Sequence, residues 1–319
     1  MSKDNIILMF YPIDHIYKDN FGRTYTSCTQ VNDAFTEKKD WLEIAKRCEL
    51  IGNNPGHPKY NKYKGCTAEG LLNKWARDTR RSLDIGNDRH DMLDMSIRNA
   101  NNYNNVYGTT SDSTPVTKDT CIRLNTINEL VNDKRIGEIN VDVLLEQPLC
   151  RYEKIRDLII GLHKQGYRFY SEIGVYHYEY IVSGLIDLVA IKGKEFIIID
   201  WKTNRDIIMF EAGYFDKDDE GNVTDNFIHT WETFTYPIDY IPASVGHKYT
   251  LQLSGYTFML EQFGFKNKFN VLAHIRRIDP NDDTKEIVEF RTMDYMKDEI
   301  KSMYTYYYKW KSDGLSKVA

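Results

Sequence analysis

Two nearly uninterrupted apolar runs, separated by a three-residue turn, constrain this chain most. Residues 183–191 read SGLIDLVAI and residues 195–201 read EFIIIDW, with Lys192-Gly193-Lys194 between them. Runs this short, rich in β-branched residues and joined by a turn signal, predict strands rather than helices. Strands apolar on both sides of the pleat predict a sheet covered on both faces. A third run, SEIGVYHYEYI over residues 171–181, precedes them, so the three predict an antiparallel meander. Helical patterns cover 148–165 before it and 248–263 after it. Strands follow at 269–278 and 285–291, then a terminal helix over 293–311. The order from residue 150 is α-β-β-β-α-β, an α/β fold with a mixed central sheet flanked by helices.

The rest of the 319 residues read as an N-terminal, mostly helical extension with its own hairpin. Residues 6–31 read as extended, around the polar turn Lys18-Asp19-Asn20. A helix is expected over 32–50 with Asn32 as cap, a loop over 52–65, and a helix over 67–99 capped by Thr67, with a break or bend near Gly86. Residues 100–119 are polar and read as a linker, and helix resumes over 121–133. Asp216 to Asp219 and the following Glu220-Gly221-Asn222 read as the solvated tip of an insertion spanning 211–247. The expected division is 1–120 and 121–319, the two parts forming one functional unit.

Composition removes several alternatives. The net charge is -5, so a polyanionic partner would have to be met by locally gathered positive groups. Cysteines 28, 48, 66, 121 and 150 form no C-x-x-C pair, which speaks against a zinc knuckle or a disulfide framework and for reduced thiols. None lies beyond 150, which speaks against a cysteine-ligated iron–sulfur cluster in the C-terminal core. No basic stretch with a long apolar run opens the chain, and no apolar run approaches the ~20 residues of a membrane span. The expected compartment is a cytoplasm (a host's, if the chain is viral), with no membrane partner.

The chemistry concentrates at the ends of the two apolar runs. Asp200 and Lys202 are two apart and share a face of their strand, and the tight turn brings Asp187 beside Asp200. Two buried carboxylates at short range repel unless a proton or a cation intervenes. Hard oxygen ligands suit Mg²⁺ or Mn²⁺, the Trp201 carbonyl can add a third oxygen, and Lys202 can act on an attacking water. On these residues alone, an ion cluster closing a strand end is an equal reading. Gln252 and Tyr256 share a helix face, His90 lies one turn after Gly86, and Glu172 opens the first strand. Singly, each reads as an ordinary polar residue.

Together and in order they carry a resemblance. Gly86 with His90, Glu172, Gly184 with Asp187, Asp200-Trp201-Lys202, and Gln252 with Tyr256 resemble the motif series of the RecB-like, phage-type exonuclease branch of the PD-(D/E)XK nuclease superfamily. His15, Tyr17, Gly22, Tyr25, Ser27 and Thr29, and later Tyr249 and Leu253, are similar to further parts of the phage-type pattern. The likeness runs from about residue 15 to about 260. Asp200 stands where many members have Glu, and Asn87-Asp88 replaces small or basic residues. The resemblance implies a restriction-endonuclease-like αβββαβ core. It implies Mg²⁺ or Mn²⁺ held by His90, Asp187, Asp200 and the Trp201 carbonyl, with Glu172 on a second metal or a water. Lys202 would act on the nucleophile, while Gln252 and Tyr256 would orient the site or touch phosphate. The implied activity is exonucleolytic cleavage of DNA, single-stranded or with free ends, in viral, phage or bacterial replication, recombination or repair, with a protein of those processes as a further partner. A structure-specific endonuclease and a catalytically silent DNA-binding module are the alternatives. Arg77, Arg81, Arg89 and Arg276 are the expected DNA contacts, against the plainer reading of a solvated mixed-charge helix.

Overall fold

The computed structural model describes residues 6–107, 120–204, 208–218, 223–279 and 282–313. Three short strands open it: β1 (Leu8–Tyr11), β2 (Ile16–Asp19) and β3 (Thr24–Ser27). The turn between β2 and β3 is built around the buried Asp19 carboxylate. It accepts the Phe21 and Arg23 amides at 2.9 Å each, Arg23 Nε at 2.6 Å and the Tyr25 hydroxyl at 3.1 Å. Gly22 supplies the left-handed residue at φ 80°.

Several elements differ from expectation, each for a local reason. Ser27 and Gln30 form a reciprocal capping box, so α1 (Cys28–Ala34) begins within the stretch expected to be extended. The helix expected over 32–50 is split, because the Asp40 side chain caps a separate α2 (Trp41–Gly52). A single turn, α3 (Tyr60–Tyr63), sits in the expected loop. Thr67 caps α4 (Ala68–Ala100) as expected, yet this helix runs unbroken through Gly86 for 33 residues. It is followed by α5 (Tyr103–Tyr107), and most of the expected linker lies outside the described residues. The helix expected over 121–133 is instead β4 (Ile122–Leu124) and the short α6 (Ile127–Leu130). Pairing of Leu124 with Leu8 on β1 overrides the local pattern there.

Downstream, α7 (Val141–Leu145), a 3-10 turn (Pro148–Arg151) and α8 (Glu153–Lys164) lead into the meander β5 (Arg168–His177), β6 (Val182–Lys192) and β7 (Glu195–Lys202). The insertion carries a separate hairpin, β8 (Gly213–Lys217) and β9 (Val223–His229). Of the acidic tip expected over 216–222, Asp216 lies within β8 and pairs with Lys59 and Lys62, and 219–222 lie outside the described residues. Then come α9 (Val245–Glu261), β10 (Lys266–Asp279), β11 (Asp282–Met293) and α10 (Lys297–Ser312).

The main sheet runs β11-β10-β7-β6-β3-β2-β1-β4, with β5 also on β6. It is mixed: β7–β10 and β3–β6 are parallel and the other pairs antiparallel. Thr126 bridges Gly174, and the Gly174 amide donates to Asn125 at 3.0 Å, so β4-β1-β2-β3-β6-β5 close into a ring. Gly174 is required at this closure, since a Cβ there would lie 2.7 Å from Leu124 Cβ. The ring encloses Leu8, Tyr17, Tyr25, Leu124 and Tyr176. The N-terminal strands are therefore part of the central sheet, not an appended helical extension.

β6 and β7 feed two cores, as their two-sided apolarity predicts. Ile186, Val189 and Ile198 pack with Leu253 and Met303 on the α9–α10 side. Leu188, Ala190, Ile197 and Ile199 pack with Leu93, Ile97 and Ile159 on the α4–α8 side. Each such aliphatic side chain contributes roughly 1.5–3 kcal/mol of burial.

Asp19 offers a test of the N-terminal turn. Burial pushes its carboxyl up, but the Arg23 and Phe21 amides, the Arg23 guanidinium and Tyr25 outweigh it and hold it below the usual value of 3.8. Its contribution to stability is thus present above about pH 4 and lost as pH falls through the depressed folded value. Asp19→Asn is expected to lower stability by about 1.5–3 kcal/mol at pH 7. The difference should shrink below pH 3, measured by urea unfolding at both pH values.

Candidate functional site

The sheet opens where β6 and β7 part. Their pairing stops at Leu188 opposite Ile199, one step short of placing Asp187 opposite Asp200. Asp187 fills the gap, its Oδ2 accepting the Trp201 amide at 2.7 Å. A side-chain oxygen thus takes the place of a ladder carbonyl, and the strands diverge beyond it. β3 joins β6 past this point, pairing Ser27 with Ser183.

Three elements converge on the opening. β6 brings Asp187, β5 brings Glu172, and α4 brings His90 from far earlier in the chain. One ligand-type atom from each lies within 4.8 Å of the other two. His90 Nδ1 stands 3.5 Å from Asp187 Oδ1. α4 runs close to the sheet at Gly86: a Cβ there would lie 3.1 Å from Thr203 Oγ1, just after the end of β7, and the threonine would have to give way. Glu172 stands across β5–β6 from Asp187 with φ 51°, a left-handed backbone in a residue with a side chain. Such conformations cost of order 1–3 kcal/mol and persist only where the surroundings hold them.

Asp200 and Lys202 form the second half of the site. Asp200 is buried and its Oδ2 lies 2.5 Å from Lys202 Nζ. It stands outside the His90–Glu172–Asp187 group, paired to the lysine instead. Lys202 Nζ also sits 5.0 Å from the Tyr249 ring centroid, and the Tyr249 hydroxyl donates to Asn204 Oδ1 at 3.1 Å. The Trp201 side chain is in the core on the α4–α8 side.

The electrostatics follow from this crowding. Burial pushes His90 down, but the Asp187 carboxylate outweighs it and the imidazole is pushed up to about 9. Burial pushes Asp187 up, but His90, Lys202 and the Trp201 amide hold it below the usual carboxylate range. Burial raises Asp200 to about 6, with Lys202 opposing and Asp187 adding. Lys202 is held above its ordinary value, since Asp200 and Asp187 outweigh its burial. Burial, then Asp187 and Asp94, push Glu172 well above the carboxyl range. Two carboxylates and an imidazole gathered this closely, one carboxyl resisting ionisation, are a donor set that fits a hard or borderline divalent cation.

Gln252 and Tyr256 meet as their spacing predicts, Gln252 Nε2 donating to the Tyr256 hydroxyl at 2.8 Å. Tyr256 is buried, and its ring lies where a Cβ of Gly184 would be. The G-x-x-D glycine and the Q-x-x-x-Y tyrosine are therefore one packing contact, three residues before Asp187. Arg89 and Arg276 sit in ion pairs, with Glu286 at 3.0 Å and Glu289 at 3.6 Å. Arg77 and Arg81 line an open trough along α4 with Asn73, Arg80, Asp84 and Asp88, ending just before His90.

Sequence reasoning passed over Ser171, Thr203 and Asn204, and read Asp94 and Arg98 as part of a solvated mixed-charge helix, whereas both are buried and paired with each other. Asp94 was legible in part, since it follows His90 by one helical turn. Comparison with protein-family models gives no match, and comparison with characterised proteins gives none. The functional reading therefore stands on geometry and motif order.

Removing the Asp187 charge isolates its effect. In Asp187→Asn without metal, burial becomes the dominant influence on His90. Its titration, followed by NMR of the imidazole protons, is expected to fall from about 9 to near or below the ordinary 6.5. The stability from the ion pair is full below about 6.5 and lost as pH rises through about 9. An unchanged titration would remove Asp187 as its cause.

Proposed function

We propose that this chain is a divalent-metal-dependent deoxyribonuclease, with a restriction-endonuclease-like core of the PD-(D/E)XK type and exonuclease action of the RecB-like kind. One observation carries the reading. His90, Glu172 and Asp187, from three distant segments, meet within 4.8 Å. They meet beside the buried Asp200–Lys202 pair at the sheet opening.

His90, Asp187 and Glu172 would hold Mg²⁺ or Mn²⁺, with Asp200 and the Trp201 carbonyl adjoining. When bound, the cation supplies Lewis-acid polarisation of a phosphodiester and lowers the pKa of a water. The protein's own residues supply the rest. Lys202 is held protonated, so it serves as a fixed positive charge for the charge that develops on phosphate, more than as a base. Asp200, at about 6, is the group at the Lys202 ammonium that gains or loses a proton near neutrality. Arg77, Arg80 and Arg81 place positive charge along α4 on the way to His90, the local gathering that an overall charge of -5 requires. Asp84 and Asp88 line the same trough at its near end and dilute that charge.

The test is digestion of end-labelled single- and double-stranded DNA, with 5′ and 3′ labels compared, in Mg²⁺, Mn²⁺ and chelator. Metal-dependent cleavage from ends is expected. Asp200→Ala and Lys202→Ala should each reduce it by about 10²-fold or more. Undiminished cleavage by both purified variants would overturn the assignment.

Metal and the His90 proton compete for one imidazole. Mn²⁺ affinity is therefore expected to rise with pH, by about tenfold per unit for the His90 proton and more steeply where the raised Glu172 carboxyl must also lose one, the imidazole's share levelling off near 9. Isothermal titration from pH 6 to 9 in two buffers of different ionisation enthalpy measures the affinity and the released proton together.

A further inference from the structure

β5 changes face at Glu172. Phe169 packs in the core on the α4–α8 side, while Ile173 and Val175 pack in the core on the α9–α10 side. Regular alternation would keep residues 169, 171 and 173 together. The left-handed Glu172, at φ 51°, is the pivot. Something next to it must hold that conformation.

Ser171 is the neighbour that is held. Its hydroxyl donates to Asp94 Oδ1 at 2.5 Å, and the same oxygen accepts Arg98 Nε at 2.6 Å. All three side chains are buried. The Arg98 guanidinium lies 4.6 Å from the Tyr103 ring centroid, which fixes it in turn. A second tie lies two residues back on the same strand, where Asn101 Nδ2 donates to the Phe169 carbonyl at 2.9 Å. The end of α4 is thus fastened to β5 at alternate residues of one face.

The spacing gives this fastening its meaning. Asp94 is one helical turn after His90 and on the same face of α4. Ser171 is one strand step before Glu172. Each partner of the Asp94–Ser171 bond therefore neighbours a candidate metal-binding side chain on its own element. Arg98 balances Asp94, which would otherwise set another unpaired carboxylate against Glu172. We propose that Asp94, Ser171 and Arg98 are positioning residues: their buried network holds Glu172 in its turned conformation and sets its distance to His90, so that the cation site is formed before the cation arrives. This rests on the metal-site reading given above and concerns residues that touch neither metal nor substrate.

Mn²⁺ binding, measured by titration with electron paramagnetic resonance of the free ion, tests this without any nuclease assay. Ser171→Ala removes one hydroxyl and should weaken Mn²⁺ by about 10–100-fold. Ser171→Thr, which keeps the hydroxyl, should restore most of the affinity. Glu172→Gln should also weaken binding, and adding Ser171→Ala to it should cost nothing further, since the serine acts through the glutamate. Asp94→Asn, which keeps an acceptor for Ser171, should weaken binding less than Asp94→Ala.

Ser171→Ala that is folded by circular dichroism and binds Mn²⁺ like the parent would overturn the proposal and leave the metal site standing. Additive losses in the double variant would also overturn it, as a general packing effect would produce them. Mn²⁺ binding that depends on Ser171 in a protein that cleaves no DNA would uphold the positioning role and sink the nuclease reading. A parent protein that binds no Mn²⁺ would end both.

Discussion

A carboxylate standing in for a backbone carbonyl holds this site together. Asp187 accepts the Trp201 amide at the point where β6 and β7 cease to pair. Without it, the two strands would continue their ladder and close the opening, or leave a buried amide unsatisfied at a cost of about 1–3 kcal/mol. Its other oxygen faces His90, so the same side chain that parts the strands also receives α4. The buried Asp200–Lys202 pair depends on it too, because the parting leaves room for both side chains at the end of β7.

Placing an anion there requires compensation from all sides, and the surrounding elements supply it. His90 and Lys202 bring positive charge, and the Trp201 amide brings a dipole. α4 runs close to the sheet at Gly86, and Gly184 makes room for the Tyr256 ring. The two glycines serve opposite faces of the sheet, one beneath α4 and one beneath α9. Packing around the charge is thus as specific as the charge itself, in keeping with the high cost of an uncompensated buried ion.

Much of this was legible in the sequence because it follows from period and spacing. The two-sided apolarity of β6 and β7, the glycine turn between them and the Thr67 cap all read correctly. So did the shared face of Asp200 and Lys202, and the meeting of Gln252 with Tyr256. What stayed hidden depends on long-range pairing. β4 is three residues long and exists because β1 offers an edge. The ring that draws the N-terminal strands into the sheet closes through Asn125, Thr126 and Gly174, which carry no periodic signal. The Glu172 backbone and the Ser171–Asp94 bond are equally invisible, since an ordinary strand pattern gives no sign that one residue has turned over. The ion pair of Arg89 was hidden because its partner, Glu286, lies on β11, 197 residues further along the chain, while that of Arg276 depends on the pairing of β10 with β11, which brings Glu289 near.

The unbroken course of α4 has a mechanical meaning. Its first turns pack through Leu71 on Ala45 and Cys48 of α2, in a small cluster apart from the main cores, and its last turns are bound to β5. At 33 residues it is a rod of about 50 Å with no joint along its length. Where Gly86 bears on Thr203 the rod has a fulcrum, and His90 lies one turn to the fastened side of it. One continuous hydrogen-bonded helix therefore joins the outlying α2 cluster to the carboxylates at the sheet opening, with His90 between the two ends.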